Sequence, residues 1–425
     1  MFEYVQDEKI VARIKIAGIG GAGGNAILHM IKRKLQGVRF LSINTDKQVL
    51  MNCSHPTLQI GAKLTKGFGA GANPEVGKNA AEEDVEAIRK ELADVDMLFI
   101  SAGMGGGTGT GASPIVASVA REIGILTVAV VTTPFSYEGA KRSAIAEQGI
   151  HELEKVVDSI IIIPNDKLLL VFGGNHTWKE ARESSNEVLY GAVRGIADLV
   201  TCVGMINIDF ADLRSVMSAK GRAIMGTGSA SGQGRARKAT EQAITCPLLD
   251  HSSLQEAKGL LVNITSDDSI TMDEMTEIGT MTKSIAQEDD QTVIVIGHVE
   301  DQSLQGEIRV SVVATGLKYY KSSIKQQPEA IPVQKTVVEV VQNQQPPEED
   351  LMDDSKTQDA IPVLNNPVET FNLKSPDPIS KPQNKKPTSR LLGVSTDSET
   401  KERSVTSKHD KVDLNMPTFL RNQAN

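Results

Sequence analysis

The chain has 425 residues, of which 40% are hydrophobic and 23% charged, and its formal net charge is -9. That length allows two or three domains and a sizeable core, and the acidic balance argues against a general nucleic-acid binder, whose affinity rests on clustered Lys and Arg. The three cysteines lack metal-ligand spacing and fit reduced thiols in a cytosol, and the seven histidines are too scattered for a zinc site or a His-centred triad.

The opening stretch "MFEYVQDEKIVARIKIAG" has no apolar core, so no signal peptide is expected. The longest apolar runs fall short of a membrane span, so no direct membrane insertion is expected. Between residue 11 and about 165, two textures alternate. Runs rich in Val and Ile ("VARIKIAG", "VRFLSIN", "DMLFISAG", "ILTVAVVTT", "SIIIIP") read as strands buried on both faces. The stretches "NAILHMIKRKL", "PEVGKNAAEEDVEAIRKEL" and "GASPIVASVAREIG" read as helices. This alternation predicts an α/β, Rossmann-like parallel-sheet domain over residues 10–177, with ligands in the crevice beyond the C-terminal strand ends.

Residues 178–202 read as one long central helix, and a smaller mixed α/β domain is expected within 203–317. Its strand candidates are "RAIMGTGSA", "GLLVNIT", "QTVIVIGHV" and "EIRVSVVAT"; its helix candidates are "GRARKATEQAI" and "TMDEMTEIGTMTKSIAQ". From Ser323 to Asp410 lie ten of the 17 prolines and a single aromatic, Phe371. Such a segment buries too little apolar surface to offset its ordering entropy, so a disordered linker is expected over 318–410. Residues 411–425, "KVDLNMPTFLRNQAN", turn apolar again and read as a docking peptide.

Two glycine loops carry the chemistry. The first, "GIGGAGGN", satisfies Gly18-x-Gly20-x-x-Gly23 ahead of a helix opening near Asn25, with Asp46 ending the next strand. Glycines there let the backbone approach a phosphate at a helix N-terminus, although a ligand-free strand–helix turn also fits. In the second loop, six of the nine residues from Gly103 to Gly111 are glycine, again between a strand and a helix, "ASPIVASVA". A run of backbone N–H groups there is an anion nest, to which Thr108 and Thr110 can add hydroxyl donors. Side chains are then absent because a polyphosphate lies against the backbone. Two such loops on one sheet imply a mononucleotide di- or triphosphate held from both sides. No G-x-x-x-x-G-K-[ST] and no N-K-x-D occurs, which argues against a P-loop NTPase.

Together these stretches resemble the FtsZ family of bacterial cell-division proteins, relatives of tubulin. "GGGTGTG" looks like the tubulin signature loop, and "NTDKQ", "IPNDKLL", "NIDFADLRSVMS", "GRAIMGTGSASG" and "AITCPLL" are further matches. The similarity runs from about residue 10 to 317 and resumes in the last dozen residues. The resemblance implies that Gly21, Ala22, Gly23, Gly24, Asn25, Gly107, Thr108 and Gly109 hold the phosphates of GTP or GDP, with Mg2+ accompanying the nucleotide. Glu138 and Arg142 would contact ribose and phosphate, although alone they also fit an i,i+4 surface ion pair. Asn186 would read guanine, and Arg182 stands where many relatives place a Phe against the base.

Asn207, Asp209 and Asp212 match the family's catalytic loop, where paired carboxylates can polarise a water for attack on a γ-phosphate. An Asp N-cap with a second acidic residue in the first turn is the plainer reading of the same spacing. In a doubly wound sheet this loop lies far from the glycine loops, so it would act on a neighbouring subunit's nucleotide. Head-to-tail homopolymers forming a division ring, cytoplasmic and under the inner membrane, are the implied assembly. Leu414, Met416, Pro417, Phe419 and Leu420 would bind membrane-tethering and regulatory division proteins. Two alternatives are an NAD-dependent oxidoreductase, resting on the first glycine loop and Asp46, and a scaffold that binds nucleotide without turnover.

Overall fold

The computed structural model describes residues 12–172, 177–202, 204–249, 256–284 and 292–317. The linker and docking peptide expected over 318–425 lie outside the described residues.

The strands follow the apolar runs closely: β1 (Ile14–Ile19), β2 (Val38–Asn44), β3 (Thr57–Gln59), β4 (Met97–Gly103), β5 (Leu126–Thr133), β6 (Ser159–Pro164), β7 (Gly221–Ser231), β8 (Gly259–Ser266), β9 (Val293–Glu300) and β10 (Glu307–Leu317). They form one sheet in the order β3-β2-β1-β4-β5-β6-β7-β10-β8-β9. All neighbours pair in parallel except β10, which runs antiparallel to β7 and β8. The smaller α/β portion therefore continues the first sheet through the β6–β7 pairing of Ser159–Ile161 with Gly221–Ala223.

Alternate residues of the central strands enter different cores, which explains why these strands read as unbroken apolar runs. Ile14, Ile16, Met97, Phe99, Val128 and Val130 face one layer. Ala17, Ile19, Leu98, Ile100, Ala129 and Val131 face the other.

The helices are α1 (Gly20–Lys32), α2 (Lys47–Met51), α3 (Ala62–Thr65), α4 (Pro74–Glu83), α5 (Val85–Leu92), α6 (Thr108–Glu122), α7 (Ala140–Glu154), α8 (Asn165–Phe172), α9 (Trp178–Thr201), α10 (Phe210–Met217), α11 (Arg235–Ile244) and α12 (Met272–Lys283). The single helix expected over "PEVGKNAAEEDVEAIRKEL" is two, broken at Asp84, whose carboxylate leaves the helix register to accept from Gly61 N–H at 2.7 Å. Helices α1 and α9 cover one face of the sheet, and α4 to α7 cover the other. With strand order 3-2-1-4-5-6, winding reverses between β1 and β4, and that switch point is where a doubly wound sheet opens its ligand crevice.

Helix α9 is opened by a Thr177–Glu180 capping box. It buries Leu189, Val193, Ile196 and Ala197, spaced to form one stripe. It is fastened to both portions of the sheet. Glu187 takes His29 Nε2 at 2.7 Å and Arg33 Nε at 2.9 Å from α1. Asn263 of β8 donates to Gly195 O at 2.8 Å, and Arg194 reaches Asp301 at 2.9 Å.

Arg13 and Asp96 clamp the starts of β1 and β4: Asp96 accepts from the Arg13 backbone N–H at 2.8 Å, from Nε at 3.0 Å and from Nη2 at 2.9 Å. Those bonds hold the Asp96 carboxyl at about 2, well below its ordinary value. A carboxylate depressed in this way contributes stability above its unfolded value of about 3.9, and that stability is lost as pH falls through the folded value. Asp96→Asn is therefore expected to lower the thermal midpoint at neutral pH by a few degrees at most, because the pair is half-exposed. Calorimetry across the acid limb should show a smaller loss between about pH 4 and pH 2 in the variant than in the wild type. Equal acid sensitivity would contradict the assignment.

Candidate functional site

Both glycine loops sit at the β1/β4 switch point. Helix α1 opens at Gly20 and α6 at Thr108, so the glycines occupy the first helical turns. This corrects the expected openings near Asn25 and Ala112: with no side chains to cap or crowd it, the backbone coils directly out of each strand. Neither helix has a side-chain cap or an acidic residue in its first turn. Their unpaired N–H groups and positive dipole ends are thus available to an anion. Helices α9, α10 and α12, by contrast, are capped by Thr177, Asp209 and Thr271.

Most of the glycines are required by the protein itself. A Cβ on Gly20 (φ +72°) would stand 2.9 Å from Gly109 N, one on Gly109 2.7 Å from Gly103 O, and one on Gly103 2.6 Å from Ala22 Cβ. The two turns therefore pack backbone against backbone. Gly107 abuts Ala70 and Asn73, while Gly105 (φ +93°) admits the Arg142 carbonyl, which a Cβ would meet at 2.8 Å. A Cβ on Gly21 or Gly106 would meet nothing within 4 Å. The expectation that a polyphosphate explains the whole glycine run is corrected accordingly. Thr110 is also reassigned: it is buried, and its hydroxyl accepts from Gly105 N–H at 2.9 Å, stapling the loop. Thr108 Oγ1 lies 2.7 Å from Thr45 Oγ1.

In front of these turns is a cleft of about 430 Å3. Of the expected site residues, Gly21, Ala22, Asn25, Glu138, Arg142 and Asn186 line it, whereas Gly23, Gly24, Gly107, Thr108 and Gly109 are not part of its lining. Arg142 and Glu138 form an ion pair at 2.9 Å, and Glu138 also accepts from Phe135 N–H at 2.9 Å. The surface-pair reading and the cleft-lining reading thus both describe this pair.

Sequence reasoning missed Thr132 and Thr133 at the C-terminal end of β5, although strand-end position alone could have flagged them. It also missed Phe135 and Tyr137, stacked at 5.2 Å beside the cleft, and the Ser185–Asn165 hydrogen bond at 3.0 Å, which ties α9 to α8. Arg182 and Leu189 of α9 complete the lining.

The acidic loop is at the other end of α9. Thr201 abuts Gly37, which precedes β2, and Arg214 of α10 donates to Gly124 O, ahead of β5, at 3.4 Å. These are the N-terminal strand ends, opposite the cleft. Asn186 and Thr201 are on the order of 20 Å apart along the helix axis. Within the loop, Asn207 Oδ1 accepts from Gly204 N–H at 2.9 Å, and Asp209 caps α10 by accepting from Asp212 N–H at 2.7 Å. Asp212 is exposed in the first turn of α10. Asp46 caps α2, accepting from Gln48 N–H at 2.9 Å and from Val49 N–H at 3.3 Å. That engagement weakens the oxidoreductase alternative, which needed this carboxylate for a ribose.

Residues 13–173 match the Tubulin/FtsZ family, GTPase domain, and residues 221–318 match the FtsZ family, C-terminal domain. The chain is 52% identical over 318 residues to a cell division protein FtsZ of Pseudomonas aeruginosa, covering 75% of this chain and 80% of that one. It is 52% identical over 307 residues to the corresponding protein of Wigglesworthia glossinidia brevipalpis, covering 72% and 79%. Among solved structures, an empty FtsZ dimer of M. jannaschii superposes with a TM-score of 0.69 at 39% identity, covering 73% of this chain and 89% of that one. A GTPγS-bound CetZ2 protofilament structure from Haloferax volcanii, at 20% identity and TM-score 0.62, shares the fold over 73% of this chain and 94% of its own.

The packing of the two turns separates their glycines into two kinds. Gly109→Ala is expected to cost about 1–3 kcal/mol through overpacking, whereas Gly106→Ala should stay within about 0.5 kcal/mol of wild type. Denaturant unfolding of both variants measures this, and equal stabilities would contradict the backbone-on-backbone contact.

Proposed function

Because the chain belongs to the Tubulin/FtsZ family of GTPases, we propose that it is a GTP-dependent polymerising GTPase that assembles head-to-tail into the filaments of the bacterial division ring. Its site spans two subunits. The nucleotide phosphates lie against the open first turns of α1 and α6, with Gly21, Ala22 and Asn25 lining the cleft beside them. The Glu138–Arg142 pair orients ribose and phosphate, and Asn186 reads guanine beside the Arg182 guanidinium, whose plane can stack on a base. Mg2+ comes with the nucleotide. Mg2+ binds in general with several waters and one or two carboxylates alongside substrate phosphates.

One observation carries the shared site: a single rigid helix holds the cleft at one end and Asn207, Asp209 and Asp212 at the other. Asp209 and Asp212 would therefore polarise the water that attacks the neighbour's γ-phosphate. Exposed apolar side chains support a heterologous contact between unlike ends. Phe68 (84% exposed) and Met51 (74%) follow β2 on the cleft side, and Met205 (63%) projects from the acidic loop. A patch that fits a different patch on the next copy does not close, and so extends into a filament.

Among the described residues no helix is long and apolar enough to cross a membrane. Attachment at mid-cell, from the cytoplasmic side, would run through adaptor and regulatory proteins gripping Leu414, Met416, Pro417, Phe419 and Leu420. Removing residues 412–425 is expected to abolish recruitment to adaptor-coated vesicles while GTP turnover and sedimentation are retained. Loss of turnover in the truncated chain would contradict an independent tail.

The shared site is tested by mixing two variants. Asp212→Ala keeps a good cleft and loses the carboxylate, at a cost of about 10²–10⁴ in rate. Gly21→Asp has room for its side chain but puts negative charge where the phosphates would lie. If the two copolymerise by sedimentation, some interfaces join an intact cleft to an intact loop, and phosphate release should exceed the sum of the separate variants. Release equal to that sum, with copolymerisation confirmed, would contradict the shared site.

A further inference from the structure

The loop that carries Asn207 and Asp209 rests on two residues of β9. Gly297 leaves the space filled by Ile208: a Cβ there would stand 2.6 Å from Ile208 Cδ1 and 2.6 Å from Leu199 Cδ2. His298 then grips the loop at three places. Its backbone N–H donates to Ile206 O at 3.0 Å, an isolated antiparallel bridge. Its carbonyl lies so close to Gly204 that a side chain there would collide with it. Its ring Nδ1 stands 3.4 Å from the Met205 N–H.

The ring itself is fixed from behind. His298 is 1% exposed, and its Nε2 lies 2.9 Å from Ser266 Oγ on β8. Ser266 Oγ donates its own proton to Asp267 O at 2.8 Å, so it accepts from Nε2–H. Nε2 therefore carries the proton, and Nδ1 is left as the acceptor for the loop. Burial pushes the imidazole below its ordinary pKa, with Glu300 opposing, and so favours the neutral ring this arrangement needs.

We infer that His298 is a positioning residue for GTP hydrolysis: its neutral Nδ1, oriented through Ser266, fixes the height and register of the loop that presents Asp209 and Asp212 to the neighbouring subunit's nucleotide. The inference rests on the proposed catalytic role of that loop. Nothing about His298 touches the nucleotide cleft of its own subunit, which lies at the far end of α9.

The test uses the full chain and four variants: His298→Ala, His298→Asn, Ser266→Ala and Asp212→Ala. Readouts are GTP affinity of the unassembled protein, sedimentable polymer, and phosphate release per unit of polymer. His298→Ala should bind GTP and sediment like wild type but release phosphate about 10- to 100-fold more slowly, the scale on which misplaced groups lose rate. His298→Asn, whose side-chain oxygen can take the place of Nδ1, should recover most of that loss. Ser266→Ala should give an intermediate loss by freeing the ring, and it decides the matter if His298→Ala does not fold.

Wild-type turnover in His298→Ala, or in Ser266→Ala where that variant decides, would overturn the inference. So would Ala and Asn variants that are equally slow, since that would mark a packing role alone. If Asp212→Ala is inactive while His298→Ala is unimpaired, only the positioning role fails. If Asp212→Ala turns over at the wild-type rate, the catalytic reading of the loop fails, and the inference fails with it.

Discussion

One unbroken helix sets the geometry of this molecule. Helix α9 runs 24 residues without a break, with Asn186 lining the cleft at one end and the acidic loop beyond the other. It is held by a capping box, a buried stripe, the His29–Glu187–Arg33 cluster and the Asn263 bond to its backbone. A rod fastened on both sides cannot bend its two ends together. On the proposed reading the chemistry would divide between a subunit's two faces, and coupling between hydrolysis and assembly would follow from that geometry.

The glycine turns are a second constraint, and their role is twofold. Gly20, Gly103 and Gly109 bring two helix N-termini into backbone contact, which concentrates two sets of unpaired N–H groups and two dipole ends at one place. Gly21, which lines the cleft, leaves space in front of them, since a Cβ there would meet nothing within 4 Å. On the proposed reading, phosphate affinity would come from how closely the turns pack, not from the mere absence of side chains. That is why a motif built almost wholly of glycine is also a rigid part of the fold.

Much of this was legible in the sequence, because strands buried on both faces appear as unbroken Val and Ile runs and glycine turns between strand and helix are conspicuous. Residues 178–202 read as one long helix, and α9 spans Trp178–Thr201. The division of labour among the glycines was not readable: whether Gly109 meets a ligand or Gly103 O depends on how β1 and β4 pair. For the same reason Thr110 resembled a phosphate donor until its hydroxyl proved to hold Gly105. The break at Asp84 went unseen because the group that draws its carboxylate away, the Gly61 amide, lies 23 positions earlier in the chain. His298 carried no sequence signal, since its contacts come from a loop and a strand distant in sequence.

Light scattering after GTP addition tests the central claim most directly, because it reads nucleotide binding, assembly and hydrolysis in one trace. The account predicts a rise on adding GTP with Mg2+, a plateau while nucleotide lasts, and a decay as GTP is consumed; GDP or NAD should give no rise. Saturable GTP binding without any rise in scattering or sedimentable protein, or hydrolysis at full rate with no assembly, would contradict a site completed between subunits.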